Sequence, residues 1–182
     1  MSEEEELVRR CASQDRKAQR ELFEKYASKM MGICLRYMNN EEDAKDILQD
    51  GFVKVFTQIE SFQFKSSLYT WMSRIFVNLS INKLKRGVSY VQLEDDQELA
   101  DTSMTELDAQ PSWGTLTRDE VLMHVQELPD IYRVVLNMYA VDGLSHAEIA
   151  DALDISVGSS KSRLSRARVI LKERLNNLSN NA

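Results

Sequence analysis

The chain has 182 residues, a mass of 21.0 kDa and a formal net charge of −6, a size that suits one domain or two small ones. Hydrophobic residues at 43% and charged residues at 29% match a globular protein and exclude wholesale disorder. With 6 glycines and 2 prolines there are too few turn residues for a many-stranded fold, so the expectation is an all-α protein.

The acidic opening Met1-Ser2-Glu3-Glu4-Glu5-Glu6 lacks the apolar stretch of a secretory signal. No apolar run nears the ~18 residues a membrane helix needs. Cys11 and Cys34 are too few for a disulfide framework or a four-ligand zinc site. These features predict a cytoplasmic protein without membrane insertion, metal or cofactor.

In chain order, a short helix is expected at 3–12. Ala18, Leu22, Phe23, Tyr26, Met30, Ile33, Cys34 and Tyr37 recur at helical spacing and mark a helix of about six turns. Asn40 can cap a third helix at 41–59, with Ala44, Ile47, Leu48, Phe52, Val55, Phe56 and Ile59 inward. Leu68, Met72, Ile75 and Leu79 place a fourth near 66–86. Cys34 reads as a small core residue and Cys11 as exposed.

Periodicity then fails from Gln92 to Gly114, an acidic stretch holding Pro111 and Gly114, which reads as a flexible linker. Trp113, near its end, is expected to be a packing anchor for the second domain. Apolar stripes resume at Leu116–Leu128, Ile131–Val141, Leu144–Leu153 and Val157–Leu175. The predicted organisation is two small helical domains, 1–91 and 115–182, joined by the acidic linker 92–114.

Charge follows the same division. Gln92–Asp130 holds eleven acids and one base, whereas Ser61–Leu93 holds five bases and no acid. Lys161–Arg174 holds six bases against Glu173. Two basic islands flanking an acidic bridge suggest two contacts with one polyanion.

The second island lies in a helix-turn-helix pattern. Ser145-His146-Ala147-Glu148 fits a capping box, Ile149, Ala150 and Leu153 face inward, and Asp154-Ile155 make the turn. Ser156 caps the next helix, whose inner face is Val157, Leu164, Ala167 and Leu171. A 100° step puts Gly158, Ser162, Ser165, Arg166 and Val169 outward, flanked by Lys161 and Lys172. Small residues permit close approach to a groove, and an arginine can pair with a guanine edge or a phosphate. The bland alternative is a solvated cationic helix.

The first island interleaves Phe62, Phe64, Tyr69, Trp71, Phe76 and Tyr90 with Lys65, Arg74, Lys83, Lys85 and Arg86. Exposed rings stack on unpaired bases and cations track the backbone; the alternative is that most of these rings are core. Phe76 falls beside the Leu68/Met72/Ile75/Leu79 stripe and is expected to be buried. Phe62 and Phe64, ahead of the helix, are expected to be freer.

Three ordered blocks then give a resemblance to bacterial sigma factors of the extracytoplasmic-function (ECF) group, covering roughly Leu7 to Leu178. Asp43-Ala-Lys-Asp-Ile-Leu-Gln-Asp-Gly-Phe52 resembles the family stretch DAEDLVQETF, and Phe62 through Trp71 to Asn82 resembles its aromatic F…W…RIAxNLxxD. Leu128-Pro129, Gly143-Leu144-Ser145 and Val157-Gly-Ser-Ser-Lys-Ser-Arg-Leu-Ser-Arg-Ala-Arg168 are similar to LP…GLS…VGTVKSRLSRAR. The resemblance implies that 1–91 is sigma region 2 and 115–182 is sigma region 4.

The resemblance also implies roles. The 41–59 helix would dock on the clamp helices of the largest polymerase subunit through Asp43, Asp46, Gln49, Asp50 and Lys54, although a solvated acidic face near a helix N-terminus explains the acids equally well. The flap of the second-largest subunit would be a further contact. Phe62, Phe64, Lys65, Trp71 and Asn78 would hold unpaired bases of the minus-ten element, and Lys161, Ser162, Arg163, Ser165 and Arg166 would contact the minus-thirty-five element. Promoter DNA, core RNA polymerase and an inhibitory anti-sigma factor are the implied partners, with the acidic linker threading toward the RNA exit path.

Departures from the family pattern carry expectations of their own. Ser159-Ser160 stands for Thr-Val and is expected to loosen that turn. Phe76 stands for a usual alanine and is expected to reshape the base pocket, and Asn82 stands for a common aspartate. Competing readings are an operator-binding regulator that recruits polymerase and a helical adaptor that binds no DNA. No catalytic residue is expected. His124 and His146 lie in no metal or hydrolase motif, and the chain has neither a phosphate-binding Gly-rich loop nor a nucleophile elbow.

Overall fold

The computed structural model describes residues 2–87 and 123–179, and among these all regular secondary structure is helical. Contacts divide the chain into two compact units, Met1–Lys83 and Leu84–Ala182. The acidic stretch 92–114, with Trp113, lies outside the described residues, as do Tyr90 and the first part of the Leu116–Leu128 stripe.

The first unit contains α1 (Glu3–Ala12), α2 (Arg16–Tyr37), α3 (Glu41–Gln58) and α4 (Leu68–Gly87), with a 3-10 turn at Ile59–Ser61. Each of the first three begins on a short polar cap, of which Asn40 was expected from the sequence. Ser2 and Glu5 form a reciprocal capping box, Asp15 accepts from Lys17 and Ala18, and Asn40 accepts from Asp43. Such caps satisfy amide donors that have no partner within the helix, each worth about 1 kcal/mol.

Apolar faces meet as the spacing predicts. Leu22, Met30, Cys34, Tyr37, Ala44, Val55, Leu68, Met72 and Phe76 are fully buried. Leu79, Leu48 and Phe56 are only half-buried. Phe23, expected inward, is 41% exposed and leans on Phe52 with ring centroids 4.6 Å apart.

One expectation needs correction, that Cys11 is exposed. Phe76 is buried as expected: its ring fills the space over Gly51, where an added Cβ would clash with Phe76 Cε1. It meets Phe52 edge-on at 5.5 Å. A large side chain is thus accommodated by the missing one opposite, which close-packed interiors require. Cys11 is fully buried, and burial pushes its thiol up to about 11 and that of Cys34 up to about 12. Both are protonated core residues at neutral pH.

The second unit contains α5 (Asp130–Ala140), α6 (His146–Leu153) and α7 (Val157–Ser179). Its interior is Leu128, Val134, Val135, Met138, Ile149, Leu153, Leu164, Ala167, Leu171 and Leu175. Arg133 is also fully buried. It donates to the carbonyls of Gln126 and Leu128 at 3.0 Å each and pairs with Asp130 at 2.6 Å. One guanidinium thereby fixes the turn that enters α5, using the fork of donors that only arginine offers.

Candidate nucleic-acid interface

In the second unit the helix-turn-helix forms as the sequence predicts. Ser145 Oγ accepts from Glu148 N and Glu148 returns to the Ser145 backbone. Asp154 turns the chain in the left-handed region, φ 57°, a conformation that aspartate tolerates better than most residues. Ser156 Oγ then accepts from Ser159 N at 2.9 Å and starts α7.

Burial along α7 decides which side chains face out. Ser160, Arg163, Leu164, Ala167, Leu171 and Leu175 form its inward stripe. Lys161 and Arg166 are exposed, and Ser162 and Ser165 are half-buried. Arg163 is 4% exposed because it lies three residues after Ser160 and four before Ala167, on the edge of the buried arc. It faces the interior of the unit and not the outward side where a groove contact was expected. Val157, expected inward, is 44% exposed; it is the first residue of α7, one turn ahead of the overlap with α6.

Ser160 lies on the inward stripe, as expected. Its hydroxyl, fully buried, is 2.9 Å from His146 Nδ1. The imidazole stacks on Tyr139 at 4.8 Å, and the Arg168 guanidinium lies 5.7 Å from the same tyrosine ring. Side chains from α5, α6 and α7 thus converge on one point. Burial, then the charges of Lys161 and Arg168, hold His146 below the ordinary histidine pKa, so the ring is neutral at pH 7.

In the first unit, residues 62–67 join the 3-10 turn to α4. Ser67 Oγ accepts from Thr70 N at 3.1 Å and so caps α4. Phe64 has φ 57° and is 45% exposed. A bulky residue in this region costs roughly 1–3 kcal/mol, so the backbone at Phe64 is held there against its local preference. Phe62 is 6% exposed, not free. Its ring lies 4.7 Å from Phe64 and 5.3 Å from Trp71, which makes it the support of the exposed ring. Lys65 is exposed, and Trp71 is half-buried.

Asn78 and Arg74 are exposed and share a face of α4 with Trp71, three and four residues apart. Arg74 is one of the bases named from the sequence in the first island, and its spacing sets it between Trp71 and Asn78. On α3, Asp46, Gln49 and Asp50 are exposed and Lys54 half-buried. Asp43 is engaged within the unit: Lys83 Nζ pairs with it and with Asp46, the latter at 3.1 Å. Lys83 and Asn40 hold the Asp43 carboxyl below its usual range.

Among the described residues there is no cluster of metal-ligating side chains, and no helix is long and apolar enough to cross a membrane.

Comparison with known proteins matches two blocks of the chain. Residues 22–89 match the family described as Sigma-70 region 2, and residues 118–171 match Sigma-70, region 4. The ECF RNA polymerase sigma-E factor of Haemophilus influenzae is 30% identical over 93% of this chain and 93% of its own. The ECF RNA polymerase sigma factor SigW of Bacillus subtilis is 30% identical over 94% of this chain and 96% of its own. Among solved structures, the sigma factor RpoE of Bartonella quintana, crystallised with the anti-sigma factor NepR, superposes with a TM-score of 0.51. It is 22% identical, covers 86% of this chain and 96% of its own, and speaks to the fold alone.

Proposed function

On the premise that the chain belongs to the extracytoplasmic-function group of RNA polymerase sigma factors, which direct initiation at specific promoters, we propose how its residues divide that task. Residues 1–91 serve as region 2, 92–114 as an acidic linker and 115–182 as region 4. The outward side of α7, through Lys161, Ser162, Ser165 and Arg166, contacts duplex DNA of the minus-thirty-five element. Each good bidentate base contact contributes about 1–3 kcal/mol of discrimination. Arg163 supports that helix from within.

Region 2 captures bases of the minus-ten element after they leave the stack. Extrusion costs a few kcal/mol per base, and stacking on an aromatic ring returns about 1–3 kcal/mol. Phe64, already held outward, supplies that ring without a further ordering cost. Phe62 and Trp71 brace it, Lys65 and Arg74 neutralise phosphate, and Asn78 offers an amide to a base edge. The exposed Phe64 ring on an acid-free loop is the observation that carries this reading.

Asp46, Gln49, Asp50 and Lys54, with Asp43 behind them, dock on the clamp helices of core RNA polymerase, and region 4 meets the flap. The polymerase performs the phosphoryl transfer, and the factor itself catalyses no reaction. It acts in the cytoplasm, where an anti-sigma factor restrains it by covering one or both units.

Run-off transcription with core polymerase and genomic promoter fragments tests the reading. Core alone is expected to be silent and the mixture to initiate at discrete sites. A factor that shifts duplex DNA but initiates only with another sigma factor present overturns it in favour of an operator-binding regulator.

A further inference from the structure

The loop that carries Phe64 is bounded at both ends by α1. On one side α1 packs on the Ile59–Ser61 turn, burying Leu7, Val8 and Cys11. On the other side a single carboxylate, that of Glu4, reaches the start of α4. Its Oε1 accepts from the backbone N–H of Leu68 at 3.4 Å, and its Oε2 accepts from the Tyr26 hydroxyl at 2.7 Å.

The chemistry of that bridge is favourable on both arms. Leu68 is the first residue of α4, where amide hydrogens lack partners within the helix and a negative charge is stabilised. Tyr26 is 4% exposed; burial and the neighbouring Glu4 raise its phenol pKa, so it stays a hydrogen-bond donor. Lys25 and Lys29 lie over the Tyr26 ring at 5.8 and 5.7 Å, and Lys29 also lies 5.9 Å from Tyr69. Glu4 therefore ties α1, α2 and α4 together at the foot of the loop.

We propose that Glu4 is a positioning residue for strand capture: with α1 as a clasp, it fixes the end of the 62–67 loop at Leu68 and so holds the Phe64 ring ready for an unpaired base. The proposal rests on the assignment of this loop to the minus-ten element. Without the carboxylate, the Leu68 end of the loop is held only by the buried Leu68 side chain and the Ser67 cap, and part of the ordering that region 2 supplies in advance must be achieved during promoter opening. The first residues of the chain thereby act on a step performed some sixty residues later.

The test uses the full-length factor with core polymerase and a promoter carrying 2-aminopurine at the base expected to flip. Glu4→Ala is expected to lower open-complex formation about tenfold, the size of one lost hydrogen bond to a charged acceptor. Duplex binding by region 4 should stay near wild type, and the thermal midpoint should fall by no more than the few degrees that these lost hydrogen bonds cost. Exchange of the Leu68 amide should quicken, and Glu4→Gln, whose amide oxygen still accepts, should recover part of the opening. Tyr26→Phe, which leaves the Leu68 contact in place, should fall between the two.

Normal opening by Glu4→Ala overturns the clasp while leaving the sigma reading intact. A parallel loss of opening, duplex binding and thermal midpoint also overturns it, because Glu4 would then be an ordinary structural residue. If the wild-type factor opens no promoter, the assignment of the loop falls and the clasp falls with it.

Discussion

The two units solve the same problem, presenting a nucleic-acid surface, with ties of different reach. Region 4 fixes its turns and helix starts through near neighbours in sequence, Arg133 with Asp130, Ser145 with Glu148 and His146 with Ser160 14 residues on, and adds one distant pair on its surface, Glu127 with Arg174, 47 residues apart. Region 2 ties the end of its loop through Glu4 and Leu68, 64 residues apart, and its core packs Phe76 over Gly51 from a different helix. Local ties form with little loop-closure cost, whereas distant ones require the whole bundle to be in place. A damaged region 4 tie should therefore act within that unit, while a damaged region 2 core should disturb the capture loop as well.

Arg133→Ala should produce the largest effect. It leaves two carbonyls and Asp130 without their donor, and loss of one partner of a buried pair costs about 3–5 kcal/mol; Asp130 remains 27% exposed, which favours the lower end. Hydrogen exchange resolved by segment should show lost protection in α5–α7 and none in α1–α3. Spread of the loss into α1–α3 would break the contrast between the units.

Gly51→Ala comes next. The new methyl must displace the Phe76 ring, an overpacking cost of about 1–3 kcal/mol. Denaturant unfolding should record that loss, and opening at the minus-ten element should decline with it. Adding Phe76→Ala should relieve the clash; if it does not, the complementary sizes of these residues do not explain the packing.

A smaller effect should come from pH. Because His146 is held below its ordinary pKa of 6.5, the unfolded chain binds the proton more readily than the folded one. Its contribution is fully present above pH 6.5 and is lost as pH falls below it. Region 4 protection should decline between pH 6.5 and 5, and His146→Gln should flatten that slope. An unchanged slope in the variant would assign the acid sensitivity elsewhere.

The smallest effect should be that of Lys83→Gln, which breaks exposed pairs to Asp43 and Asp46. Pairs of this kind contribute roughly 0.2–1 kcal/mol at most and are screened by salt. Denaturant midpoints at low and high salt should differ little from wild type, while transcription should reveal whether releasing Asp43 strengthens or weakens polymerase docking.

Much of this was legible in the residues. Apolar spacing located α2, α3, α4 and the helix-turn-helix, because 3.6-residue periodicity and side-chain caps are written within single segments. The same reasoning placed Arg166 and Ser165 on the outer side of α7. Only the family resemblance gave Arg163 a DNA contact; the helical step did not set it outward, and its place at the border of the buried arc depends on how closely α7 lies against its neighbours. Spacing left Phe62 free, because the ring stack with Phe64 and Trp71 joins a loop to a helix and has no period. Arg133 went unremarked within an apolar stripe, although an arginine three residues after an aspartate on an inward face is a readable sign of a buried fork.

What the sequence determined alone is the set of helices, their caps, the division of charge and the motifs that place the chain among sigma factors, all properties of contiguous segments. The tertiary structure decided which ring stands exposed on the 62–67 loop, that Phe76 belongs over Gly51, that Ser160 is matched by His146, and that Glu4 reaches Leu68. Each of these depends on the distance between atoms far apart in the chain. Only close packing of complete helices sets that distance.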